Sequence, residues 1–142
     1  MDLIQPDALA VIAIRLEGDI EPFEGKVAIA SVIRNRMKFK YQSDGTVAGT
    51  VLHPAQFSAF NTHDPRRHLL FQAQIEHPKT MDAIMAWQKS GAESNVGRAV
   101  LYYAALAMVP PGSKPSWVAA ARFYKQVGSQ LFYEDPVLDS RP

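Results

Sequence analysis

Two apolar helical runs meet across an acidic corner between Leu16 and Asn35, and no other stretch restricts the fold as much. Residues 8 to 16 are apolar on almost every face, interrupted only by Arg15. Pro6-Asp7 opens this run well: proline is tolerated in a first helical turn, and aspartate favours the positive end of the helix dipole. The helix must stop by Glu21, because Pro22 pushes the residue before it out of the helical region. A second helix is predicted from about Glu24 to Met37, with Val27, Ala30, Ile33 and Met37 on one stripe and Ala28 and Val32 beside it. An all-round apolar first helix implies a central, buried one. Four carboxylates, Glu17, Asp19, Glu21 and Glu24, crowd the corner where it ends. Acidic groups between buried helices are costly to desolvate, so the cluster is a candidate for acid/base chemistry.

Beyond the corner the signals are shorter. Gly45 to Ala59 reads as an ordered loop or a helical turn, and residues 61 to 78 as a polar excursion. A third helix is expected from about Lys79 to Ser90, ending at Gly91. Arg98 to Met108 is a short apolar strand or helix, broken by Pro110-Pro111-Gly112. Residues 122 to 133 read as two aromatic-rich strands around a Gly-Ser turn. No repeat or linker divides the chain, and 142 residues can bury one core, so a single domain spanning 1–142 is expected.

Charge and residue usage exclude several functions. With 15 Lys and Arg against 14 Asp and Glu, the chain lacks the basic excess of a nucleic-acid binder. It has no cysteine, which removes disulfides, thiolate metal sites and a cysteine nucleophile. His63-Asp64 and His68 invite a zinc-amidase reading, but their spacing matches no metal signature, so neither metal nor cofactor is expected. There is no Gly-rich phosphate loop and no Gly-x-Ser-x-Gly elbow. The N-terminus lacks the positive region of a signal peptide, and Ala8 to Ile14 is too short to span a bilayer. The expectation is a cytoplasmic monomer without a membrane anchor.

The pattern Glu17-x-x-x-Glu21-Pro22-Phe23-Glu24-Gly25-Lys26-Val27-Ala28, followed by Val32-Ile33-x-Asn35-Arg36, resembles the cell-wall hydrolase family of the spore cortex-lytic enzymes. Gln56-Phe57-Ser58, Ala99-Val100-Leu101-Tyr102-Tyr103, Trp117 and Phe132-Tyr133 follow in the matching order, so the resemblance runs over roughly residues 8 to 133. It implies a mainly helical (α+β), lysozyme-like domain with a small C-terminal β-hairpin. It also implies cleavage of peptidoglycan glycan strands, typically as a lytic transglycosylase, with Glu17 as the catalytic acid. Three positions depart from the family: Asp19-Ile20 stands where Arg-Gly is usual, and Gln130 where a histidine is common. A short domain of this kind without an export signal looks like a phage endolysin, held in the host cytoplasm until a pore-former releases it to the wall. A non-catalytic peptidoglycan-binding module of the same fold is the alternative.

The chemistry fits Glu17. A free glutamate, with a pKa near ~4.3, is mostly ionised at neutral pH and cannot donate a proton. At the C-terminal end of a buried helix, desolvation and the negative end of the dipole both push a carboxylate pKa upward. A conventional glycosidase also needs a second carboxylate, ~5 Å away as nucleophile or ~6.5–9.5 Å away to activate water. Asp19, Glu21 and Glu24 are the near candidates. Glu21 either turns back toward the cleft as a substrate contact, or caps a helix or pairs with an arginine. Glu24 suits the N-terminus of the second helix. Gln56 and Ser58 are candidates to bind N-acetyl or hydroxyl groups. Tyr102, Tyr103 and Trp117 are either sugar-stacking surfaces or core. If residues 102 and 103 are extended, one tyrosine points inward and the other to the cleft.

Overall fold

A computed structural model describes residues 6–53 and 78–141. In chain order these form α1 (Pro6–Glu17), α2 (Phe23–Phe39), the short α3 (Val47–Val51), α4 (Pro78–Ala92), and strands β1 (Leu101–Ala104), β2 (Arg122–Val127) and β3 (Gln130–Glu134). Single 3-10 turns at Ala105–Ala107, Ser116–Ala120 and Pro136–Ser140 complete the C-terminal half. The predicted hairpin gains a third strand. The sheet is antiparallel in the order β1-β3-β2, with Leu101 opposite Tyr133 and Tyr102 opposite Phe132. The apolar segment after Arg98 thus resolves as strand followed by a 3-10 turn, and Gly128-Ser129 forms the tight connection between β2 and β3.

The central helix is α2, a correction to the expectation that α1 holds that place. Every residue from Gly25 to Ile33 is buried, and Asn35 and Arg36 are buried as well, whereas α1 leaves Leu9 and Ile12 partly exposed. Hydropathy understated α2 because it carries polar residues. Those that are buried find partners inside, as buried polar groups must. Lys26 Nζ donates to the Glu21 carbonyl at 2.6 Å, and Ser31 Oγ to the Val27 carbonyl at 2.8 Å. Asn35 Nδ2 donates to the Gly97 and Ala99 carbonyls at 2.9 and 2.8 Å, and Arg36 Nε to the Val100 carbonyl at 2.6 Å. These bonds staple α2 to the segment entering β1, so the sheet's position follows from polar side chains on a buried helix.

One core cluster joins α1, α2, α3 and α4 to one face of the sheet through Phe132, with Tyr102 and Val127 packed against it. A second cluster, Val100, Leu101, Tyr133 and Leu138, lies on the opposite face with Tyr103, Trp117 and Leu131. The alternation of a strand decides which residue goes where. The cations at the end of α2 are divided: Arg34 lies 3.7 Å over the Trp87 ring and donates to Ser90 and the Trp87 carbonyl, while Arg36 is buried.

The C-terminal turn is tied back to α2 by Tyr41, whose hydroxyl donates to Asp135 Oδ2 at 2.7 Å. Burial, then the bond to Asp135 and its charge, push the Tyr41 pKa up to about 12 from an ordinary value of 10.0. A raised folded-state pKa gives stability that is complete below the unfolded value and lost as pH rises through the folded one. Unfolding midpoints should therefore fall between pH 10 and about 12, more steeply in the wild type than in Tyr41→Phe. Tyrosinate absorbance and denaturant titration over that range check it.

Candidate active site

The sheet face that carries Tyr102 looks across a cavity of about 690 Å³ toward the end of α1. Glu17 is the last residue of α1, half-buried, and lines this cavity together with Arg15, Asp19 and Ile20 from the corner. Tyr102 and Ala104 of β1, Ala107, Ser129, Gln130 and Lys79 at the start of α4 form the rest of the wall. A second hollow of about 540 Å³, near the end of α4 and β2, holds Lys89, Asn95, Tyr124 and Lys125 and none of the candidate site residues.

The four corner carboxylates do not act as one cluster. Asp19 accepts from Arg15 Nη1 at 2.9 Å and from Lys79 Nζ at 3.0 Å. Partial desolvation pushes its pKa up, but the hydrogen bond and charge of Lys79, helped by Arg15 and Lys26, outweigh this and hold Asp19 below the usual aspartate value. The pair is thus intact above the ordinary aspartate pKa and is lost as pH falls through the lowered one. Replacing Lys79 by Met leaves desolvation less opposed, so the Asp19 titration should move upward. A carboxyl-carbon NMR titration of both proteins reads this directly. Glu24 faces away, pairing with Lys89 at 3.2 Å on the surface and lying at the start of α2, as a helix-terminal acid should.

Glu21 makes a contact that the sequence did not suggest. Only 5% exposed, it holds Ser129 with both carboxylate oxygens: the Ser129 backbone N–H donates to Oε1 at 2.9 Å and the hydroxyl to Oε2 at 2.5 Å. Gly128 makes room for this contact. Its φ is +60°, and a Cβ there would fall 2.4 Å from Glu21 Oε1 and 3.0 Å from Pro22 Cδ. Gly25 does the same on the helix side, where a Cβ would meet the Glu21 Cβ at 2.9 Å. Glu21 therefore clamps the β2–β3 turn onto the α1–α2 corner. It is absent from the cavity lining, but Ser129 and Gln130, which it fixes in place, are part of it.

The adjacent tyrosines divide as alternation requires. Tyr102 stacks on Phe132, with ring centroids 5.4 Å apart, and lines the cavity. Tyr103 turns to the far face, where it meets Trp117 at 5.8 Å and Tyr133 at 6.0 Å. Tyr103 and Trp117 thus sit in an aromatic cluster behind the sheet, away from Glu17. Gln56 and Ser58, like His63, Asp64 and His68, lie outside the described residues. Two contributors went unnoticed in the sequence, Lys79 and Ser129. The Gly-Ser turn marked the hairpin, but nothing local marked its serine as the partner of a glutamate.

Helices around a buried α2, a small antiparallel sheet and a cavity between them with an acid at a helix end make this a lysozyme-like fold. The chain belongs to the cell wall hydrolase family, which it matches over residues 20–133. Glu21, Tyr102, Tyr103 and Trp117 fall inside that span, and Glu17 stands three residues before it. A spore cortex-lytic enzyme of Oceanobacillus iheyensis is 29% identical over 119 residues, covering 79% of this chain; the chain spans only 35% of that protein's length. The catalytic domain of the germination-specific lytic transglycosylase SleB from Bacillus anthracis shares the fold, with a TM-score of 0.63 at 22% identity over 94% of this chain and 99% of that one. The Bacillus cereus SleB catalytic domain gives the same score and identity over 94% of each chain. Among the described residues no helix is long and apolar enough to cross a membrane, and no group of His, Asp or Glu is arranged to hold a metal ion.

Proposed function

We propose that this protein cleaves the glycan strand of peptidoglycan between N-acetylmuramic acid and N-acetylglucosamine, as a lytic transglycosylase with Glu17 as its acid and base. The observation that carries the reading is the place of Glu17, at the end of α1 on the wall of the large cavity, facing the sheet. Family membership and the relative's description as a spore cortex-lytic enzyme support the substrate class.

In this reading Glu17 gives its proton to the glycosidic oxygen as the bond to the muramic C1 breaks. The acetamido group of that sugar stabilises the cation left behind. Glu17, now a carboxylate, takes the proton from the muramic C6 hydroxyl as its oxygen bonds to C1, closing a 1,6-anhydro ring. No water is consumed, and Glu17 ends protonated as it began. Tyr102 supplies a flat apolar surface for a sugar ring beside the acid.

A second reading rests on Asp19, the other carboxylate on the same wall. If Asp19 directs a water to C1, the product is a reducing muramic end. The cations that keep Asp19 ionised also weaken it as a base, which places the first reading ahead. Digestion of purified peptidoglycan followed by mass spectrometry separates the two: anhydromuramoyl ends for transglycosylation, reducing ends for hydrolysis. Intact glycan after treatment with folded protein overturns both and favours a binding module. The endolysin setting is a further proposal about biology, which a host-lysis assay decides.

A further inference from the structure

Gln130 is the anomaly of the cavity wall. Its Oε1 is buried and accepts no hydrogen bond. An unpaired buried amide oxygen costs roughly 1–3 kcal/mol, and native structures keep few of them. Neighbouring polar groups on this wall are all engaged: Ser129 by Glu21, and Asp19 by Arg15 and Lys79. Among the described residues of this wall, only Gln130 holds a buried side-chain oxygen with no partner, an acceptor left for a ligand N–H.

Its surroundings define what it is fitted to meet. Gln130 opens β3 directly opposite Ala104, and Ala104 and Ala107 line the same cavity. A carboxamide beside two small apolar side chains complements a group that has an N–H, a carbonyl and a methyl close together. That group is an acetamide. The turn that carries Gln130 is immobilised by the Glu21 clamp on Ser129, so the amide is presented from a fixed position.

We propose that Gln130 is a specificity-determining residue that recognises an acetamido substituent of the sugar seated against β1 and β3. The proposal rests on the glycan reading above and deepens it. A site that supplies hydrogen bonds to a polar substituent discriminates against ligands without it, because the site's own groups are then left unpaired.

The test is binding of soluble, peptide-free wall glycan strands to the Glu17→Gln protein, which slows turnover, with Gln130 intact or changed to Met. Strands are used native, de-N-acetylated, and de-N-acetylated then re-acetylated. With Gln130 present, native and re-acetylated strands should bind about tenfold more tightly than de-N-acetylated ones. With Gln130→Met, which keeps length and volume, the ratio should collapse toward one through weaker binding of the acetylated strands. An unchanged ratio overturns the proposal, as does an equal loss for all strands, which marks a structural role. If Glu17→Gln binds none of the strands while remaining folded, the glycan reading itself fails and takes this inference with it.

Discussion

Replacing Glu17 by glutamine should lower the turnover of peptidoglycan by ~10²–10⁴-fold, the contribution of a positioned general acid and base, while leaving KM nearly unchanged. Glutamine has the same shape and polarity but no transferable proton. Thermal stability should hardly change, because a Glu17 that is protonated at rest presents no charge to the dipole at the end of α1, and the amide keeps its shape. Release of soluble muropeptides, with calorimetry on the same samples, checks both halves. An active Glu17→Gln would transfer attention to Asp19, the other carboxylate on the wall.

The largest structural effect is expected at Gly128. An alanine there must adopt a left-handed backbone, costing roughly 1–2 kcal/mol, and its Cβ would press against Glu21 Oε1 and Pro22. Relief requires the clamp to open, which forfeits charge-assisted hydrogen bonds worth about 1.5–3 kcal/mol. Gly128→Ala should therefore destabilise the fold by about 3 kcal/mol, a fall of about 10 °C in Tm for a domain of this size. Glu21→Ala should cost a similar amount, because it strands the buried Ser129 donors. Glu21→Gln should cost only about 1 kcal/mol, since the serine hydroxyl can turn and accept from the new amide while the backbone N–H keeps its oxygen. A glutamine as damaging as alanine would mean that the charge itself, and not the bonding geometry, holds the turn.

How much of this was legible in the sequence depended on whether the signal was local. The two helices and the corner between them were readable, because proline geometry and apolar periodicity act over a few residues. So was the place of Glu17 near a helix end, since Pro22 limits how far that helix can run. The split of Tyr102 and Tyr103 followed from strand alternation alone. By contrast, Glu21 gave no hint of Ser129, because the contact joins residues 108 positions apart. Neither did Asn35 and Arg36 announce that α2 would be the buried helix, since their partners are backbone carbonyls of residues 97 to 100. The third strand was left open between strand and helix, as a four-residue apolar run must be. Trp117 and Tyr103, read as sugar platforms or core, fell to the core side because the sheet has two covered faces.

The distance along the chain between Glu21 and Ser129 also has a consequence for when the site comes into being. Closing a loop of that length carries an entropic cost that must be met before the contact returns anything, so such contacts form late. During synthesis the helix bearing Glu17 leaves the ribosome well before the hairpin. Glu17 is therefore made before the opposite wall of its cavity, and chains truncated before residue 129 should bear this carboxyl group but no assembled cleft. If Glu17 has the role proposed, activity therefore waits on the hairpin that completes its cavity.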